Sequence, residues 1–505
     1  MSTHAAPYER LLTISREAGL LGSVEGLLGW DQETMMPPGG GVHRARQLAL
    51  LARLRHERLA APEVGELLAE CEQTMDLTAD TIEAANVRLL RHDHDRAVRL
   101  PASLVEEIAA TASTAQHAWA EARAESDFPR FRPWLEKTVD LCRQKAACYG
   151  WAEGGEPWDA LAEDYEPGCT AAAVAEVFGP LRTRLRGLLE EISGGPARPS
   201  GQLDEIELPE PAQMAFSREI AAAIGFDFSR GRLDTSTHPF CGGSHCDDVR
   251  LTTRFHPAMV TDAMSSTMHE AGHGMYEQGL QYEHAGTPCG ESASLGIHES
   301  QSRMWENQVG RSAAFWRWAA PRLKAHFGSA VDGIDAHAAY ESANRVAPGL
   351  IRVEADEATY NMHVMIRFAL ERDLLTGELP VADLPHAWNS MYREELGVEV
   401  PDDRRGCLQD IHWSMGALGY FPTYTLGNLY SAQLFEAACD ATPGLVEGFA
   451  AGTFSPLLAW LREQIHRHGR RYSPADLCAR ATGRPLSADP LLRHLEAKFR
   501  PLYGI

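Results

Sequence analysis

The stretch Thr267-Met268-His269-Glu270-Ala271-Gly272-His273-Gly274-Met275 decides how this chain is read. It contains a His-Glu-x-x-His pattern, and helix positions four apart share one face, about 6 Å along the axis. His269 and His273 can therefore each turn one imidazole nitrogen toward a common metal ion. Glu270 lies about 100° round the helix, within reach of a water on that ion but outside its ligand set. Two neutral imidazoles, an open coordination position and a proton-accepting carboxylate are what zinc-dependent peptide hydrolysis requires. A surface helix that merely carries two histidines would look different. Apart from the motif, residues 265–275 are uncharged, as suits a buried helix. Gly272 and Gly274 weaken helix propensity, so packing has to hold them there.

The third ligand must come from downstream. The longer form ending in x-x-Gly-x-x-His is absent, because Tyr276 and Gly279 stand where its glycine and last histidine belong. That excludes the metzincin arrangement. Glu277, His284, Glu291, His298 and Glu299 are the next candidates. Glu277 continues the same helix, a turn too far along. His284 and Glu291 fall in or beside a loop with Gly286, Pro288 and Gly290. Residues 292–307 read as a second, antiparallel helix carrying His298 and Glu299. Adjacent side chains diverge by about 100°, so only one of the pair faces the metal. Glu299 is chosen, which gives the His2Glu set of thermolysin-type sites, with His298 behind the ligands.

The 505 residues carry a net charge of −23, which argues against nucleic acid and anionic membrane as partners. No run of 18 apolar residues exists, and residues 1–16 are polar without the apolar core of a signal peptide. Ten scattered cysteines suit reduced thiols, so a cytoplasmic location is expected. The segment Cys241-Gly242-Gly243-Ser244-His245-Cys246 reads as a mobile loop with two free thiols rather than a metal clip.

Apolar residues three and four apart dominate the chain. They predict helices over 8–28, 42–60, 62–73, 80–98, 101–126, 128–149 and 171–192, with Asp80 and Glu83 as a capping box. Later come 313–326, 333–344, 350–375 and 428–439. The expectation is a mostly α fold read as one unit over 1–505, with its metal-site core at 235–430. The Gly-, Pro- and Ser-rich stretch at 193–204 is the best hinge candidate. Alternation over 235–240 and 248–254 predicts a β-hairpin just before the metal helix. In 350–375, Arg352 and Asp356 are four apart, so an Arg352–Asp356 ion pair is one expectation and an Arg250–Asp248 pair another. Tyr420 and Tyr424 lie in an aromatic stretch that reads as a loop.

Six segments now stand in order: His238-Pro239-Phe240, Asp248-Val249-Arg250-Leu251-Thr252, the His269–His273 motif, His298-Glu299-Ser300-Gln301, Ile351-Arg352-Val353-Glu354-Ala355-Asp356 and Gly406-Cys407-Leu408-Gln409-Asp410-Ile411-His412-Trp413. Together they resemble the signature set of the carboxypeptidase Taq family of metallocarboxypeptidases, from Trp30-Asp31-Gln32 to Tyr424. The resemblance implies a large helical peptidase with a central cleft, similar to the neurolysin-like enzymes, and a homodimer. It implies removal of single residues from peptide C-termini with broad side-chain tolerance. It also supports His269, His273 and Glu299 as zinc ligands, with cobalt accepted by some members, and Glu270 as the catalytic carboxylate.

In the expected mechanism Glu270 takes a proton from a metal-bound water and passes it to the leaving amine. Tyr424 or Tyr420 donates to the oxyanion. Arg352 is the first candidate to hold the substrate's free carboxylate and Arg250 the second, with His238 also on the substrate side. Asp356 and His412 are read as supporting residues behind the site. An oligopeptidase cutting internally in short peptides is the nearest alternative, and a catalytically silent helical peptide-binding protein the more distant one.

Overall fold

The computed structural model describes residues 5–505. Helices dominate, and the sheet has three short strands. The chain divides into two compact units, Met1–Val98 with Ser200–Ala343 and Ser431–Pro485, and Arg99–Pro199 with Asn344–Tyr430 and Leu486–Ile505. The expected metal-site core at 235–430 is thus shared out between them, and one boundary falls within the 193–204 stretch, at Pro199–Ser200.

In the first unit, the helix Ala5–Thr34 buries Tyr8, Leu11, Leu12 and Ile14 against Val64, Leu68, Val87 and Leu90. It runs through Trp30-Asp31-Gln32, beyond the end predicted at residue 28, and stops short of Pro37. The helix Ile82–Arg99 is capped by Thr81, whose hydroxyl accepts from the Ala84 amide at 3.2 Å. Asp80, the expected cap, instead receives Arg471 and Tyr472.

The sheet corrects the predicted hairpin. Strands β1 (Gly231–Thr235), β2 (Cys241–His245) and β3 (Asp248–Thr253) lie in the order β1-β3-β2. β1 runs parallel to β3, and β2 forms the antiparallel hairpin with it. Pro239 has no N–H to give a ladder, so the pairing strand begins beyond it. The thiol-bearing segment is therefore a strand and not a loop. Gly243 sits at φ 153°, where a Cβ would lie 2.3 Å from the Asp248 carbonyl oxygen, and this lets the irregular hairpin close.

The second unit breaks the predicted 350–375 helix. Arg352–Glu354 is a 3₁₀ turn, and the helix proper is Tyr360–Thr376. Asp356 accepts from the Ala358 and Thr359 amides, both at 3.0 Å, which fixes the turn before that helix. The helix holding Tyr424 begins at Pro422, six residues earlier than predicted, because proline's fixed φ suits a first helical position. At the centre of this unit, fully buried Glu371 accepts from Trp158 Nε1, Trp413 Nε1 and the Gly419 amide at 3.0–3.2 Å. Glu357 pairs with His494 and Lys498 and so ties down the last helix, Asp489–Tyr503. Among the described residues all ten cysteines are unbridged, and no helix is long and apolar enough to cross a membrane.

Candidate metal centre

The helix Val260–Glu277 carries the His-Glu-x-x-His motif. Its first turn is held by Asp204, which accepts from the Thr261 amide at 3.0 Å. The two glycines do the packing that the sequence demanded of them. A Cβ at Gly272 would lie 2.6 Å from both the Gln301 carbonyl oxygen and Ser302 Cα, backbone of the helix Leu295–Arg303. One at Gly274 would lie 2.7–2.8 Å from Phe226 and from Leu251 of β3. Glycine therefore brings the second helix close on one side and the sheet on the other. The second helix, capped by Ser294 accepting from the Ile297 amide at 3.0 Å, delivers Glu299.

His269, His273 and Glu299 bring one ligand atom each to within 4.8 Å of one another. Glu299 Oε2 lies 3.5 Å from Nε2 of His269 and 3.4 Å from Nε2 of His273. Bonds of about 2.1 Å in a tetrahedral site place ligand atoms about 3.4 Å apart, so these separations fit a zinc-sized ion. The remaining ring nitrogens agree. His269 Nδ1 donates to Glu306 Oε2 at 2.9 Å, which leaves Nε2 free of its proton when the ring is neutral. His273 Nδ1 is hydrogen-bonded to Nδ1 of His298, and His298 Nε2 lies 2.7 Å from Glu277 Oε1. With Nε2 of His273 as ligand, the protons run from His273 to His298 to Glu277. His298 thus stands behind a ligand, and Glu277 behind His298.

The charges are unevenly balanced. Burial pushes the Glu270 carboxyl up to about 7, against the opposing pull of His269. Burial pushes His273 down to about 3. Glu299 is held well below the usual carboxylate range despite its burial, by Arg303, His269 and His273. Burial would lower His269, but Glu299 and Glu306 raise it. Two imidazoles and the Glu299 carboxylate form a donor set that suits a divalent cation.

His245, Cys246 and Asp247 form a second group with ligand atoms within 4.8 Å. Asp247 is already paired with Arg230, and His245 Nδ1 accepts from the Asp247 amide at 3.1 Å. The remaining first-unit candidates take other partners. Arg250 pairs with Asp248 at 2.9 Å and lies over the Trp30 ring at 4.4 Å, and His238 is exposed.

The second unit gathers Arg352, Tyr420, Tyr424 and His412. Arg352 does not pair with Asp356. Its Nε and Nη2 donate to Asp410 Oδ1 at 3.1 and 2.9 Å, Nη1 donates to Tyr360 at 3.1 Å, and its guanidinium lies 4.8 Å from the Tyr424 ring centroid. Arg367 takes the other Asp410 oxygen. The Tyr424 hydroxyl lies 3.4 Å from His412 Nε2, and the Tyr420 ring packs on both. Asp356, turned to backbone amides, supports a turn and no reactive side chain.

The carboxypeptidase Taq (M32) metallopeptidase family model matches residues 10–499. The chain belongs to this family. It is similar to thermostable carboxypeptidase 1 of Thermus thermophilus, 44% identical over 99% of this chain and 100% of that one. The corresponding Pyrococcus furiosus protein is 37% identical over 97% and 98%. The crystal structure of the M32 carboxypeptidase from Deinococcus radiodurans superposes with a TM-score of 0.95 at 42% identity, covering 99% of this chain and 100% of that one. The protein is a metallocarboxypeptidase.

For this carboxypeptidase the sequence reading missed Glu306, Arg303, Asp410 and Glu371 as organising residues. The first two left a signal. Arg303 is four residues after Glu299 and three before Glu306, so a charged ladder could have been traced along one helix face. Asp410 stood within the Gly406–Trp413 segment but with nothing to tie it to Arg352 or Arg367, and Glu371 left no signal, because its partners are distant in the chain.

Proposed function

We propose that this metallocarboxypeptidase is a zinc enzyme that removes single residues from peptide C-termini with broad tolerance, using His269, His273 and Glu299 as ligands and Glu270 as general base. The observation that carries the reading is the 3.4–3.5 Å spacing of the two Nε2 atoms around Glu299 Oε2. Zinc held there supplies Lewis acidity toward the scissile carbonyl and toward water.

The protein's own groups do the rest. Glu270, with its carboxyl near neutrality, accepts a proton from the attacking water and returns it to the leaving amine. Burial keeps the Tyr424 phenol protonated, so its O–H is a donor for an oxyanion, with Tyr420 as the alternative. After its bonds to Asp410 and Tyr360, Arg352 keeps one N–H on each terminal nitrogen, a pair that matches a planar carboxylate. Arg250 is the second candidate and His238 a further substrate contact. A homodimer and a cytoplasmic location belong to the same proposal, the latter supported by the unbridged thiols.

The test is a time course on a blocked dipeptide and a longer peptide, with dialysed enzyme given zinc or cobalt. Free amino acids released stepwise from the C-terminus support the reading. Internal fragments would replace it with an oligopeptidase.

A further inference from the structure

One guanidinium touches one of the three proposed ligands directly and the support of a second. Arg303 Nε donates to Oε1 of Glu299 at 2.7 Å, and its Nη1 donates to Oε2 of Glu306 at 3.2 Å. That same Glu306 oxygen accepts from Nδ1 of His269. The α-helix Leu295–Arg303 passes into π-helical turns over Met304–Gly310. Such turns are rare and shift side chains out of α-helical register. Here they aim Glu306 at His269, while Arg311 takes the other Glu306 oxygen at 3.2 Å. Glu299 and Glu306 are both buried, so each charge needs its partners.

The two oxygens of Glu299 have different surroundings. Oε1 is turned to Arg303, whereas Oε2 accepts from the Ser302 hydroxyl at 3.0 Å and faces the Nε2 atoms of His269 and His273. A carboxylate free at both oxygens can bind a cation through one or both. With Oε1 committed to a guanidinium, only Oε2 is offered. The difference bears on catalysis, because a second carboxylate oxygen occupies coordination space that a hydrolytic site must keep open.

We propose that Arg303 is a positioning residue that restricts Glu299 to metal binding through one oxygen and, through Glu306, holds His269 with its proton on Nδ1. The inference rests on the reading of His269, His273 and Glu299 as ligands, and adds a determinant of coordination number to it.

Cobalt(II) substitution tests it, because the visible bands of cobalt weaken severalfold as its coordination number rises above four. In Arg303→Gln the bands weaken against wild type, kcat falls about 10- to 100-fold, and KM and metal affinity change much less. Arg303→Lys supplies a point charge without the fork, so its spectrum and kcat fall between the two. In Glu306→Gln the bands keep their intensity, but affinity measured by chelator competition drops about 10- to 100-fold. Unchanged cobalt bands with kcat within twofold of wild type in folded Arg303→Gln overturn the proposal, and should that variant fail to fold, Arg303→Lys decides by the same spectrum. Full metal affinity in Glu299→Gln would instead overturn the ligand assignment beneath it.

Discussion

Arg352 has more partners than its place in the sequence suggested. Asp410 holds two of its nitrogens and Tyr360 a third, while Asp356 serves a backbone turn. If its remaining N–H pair binds a substrate carboxylate, Arg352→Ala lowers kcat/KM for free-acid peptides about 10- to 100-fold, the worth of a charged hydrogen-bonded pair. Any residual cleavage of the C-terminally amidated peptide stays unchanged, and equal loss on both substrates removes Arg352 from that role. Glu357 allows a separate test. Burial opposes its charge, but Lys498 and His494 hold its carboxyl down to about 2. A depressed carboxylate contributes stability that is present above its unfolded pKa and lost as pH falls through the folded one. Glu357→Gln therefore costs about 3 kcal/mol near pH 7, and the gap to wild type narrows between about pH 4.5 and 2. Denaturant unfolding of both proteins across that range checks it, and a constant gap contradicts it. The meeting of His269 with His273 was legible because helical spacing alone brings them together. Asp410 was not, since nothing local ties position 410 to 352 or 367.

Among the elements, the two helices at the metal centre depend on a glycine contact. Gly272→Ala places a methyl against backbone at Gln301 and Ser302 that cannot swing aside. It destabilises by about 1–3 kcal/mol, as overpacking does, and weakens metal affinity by separating Glu299 from His273. Thermal unfolding and chelator competition report both, and wild-type behaviour in each would mean that the helices can part without harm. In the second unit Glu371→Gln turns an NH2 toward groups that are all donors, which leaves its own N–H groups and at least one of the Trp158, Trp413 and Gly419 donors without an acceptor, at a cost of about 1–3 kcal/mol for each unpaired group. The near-UV circular dichroism of Trp158 and Trp413 changes with it. Helices were legible from their apolar period, with ends shifted by a few residues where Thr81 or Pro422 set the boundary. The sheet was misread because its strands span five or six residues and β1 pairs in parallel with β3, to which β2 is the sequence neighbour. Parallel pairing leaves no turn signal in the sequence.

For the whole molecule, acidity and free thiols were plain from composition, whereas the division into two units was not, since each is assembled from three separated segments. A metal bound only by the folded state stabilises by mass action, about 2.7 kcal/mol at a hundredfold excess over Kd. Chelation is therefore expected to abolish activity and lower Tm by several degrees, and zinc to restore both; an unshifted Tm would mean that the ion contributes nothing to the fold. Glu270→Gln separates the proposed metal site from the proposed base. The decisive measurement is single-turnover release of the C-terminal residue by wild type and Glu270→Gln, with metal content determined on the same samples. The expected result is one metal per chain in both proteins and a loss of at least about 1000-fold in rate for the variant, more than general-base assistance alone accounts for because water attack also loses its orientation. A metal-loaded Glu270→Gln enzyme that releases residues within tenfold of the wild-type rate would contradict it.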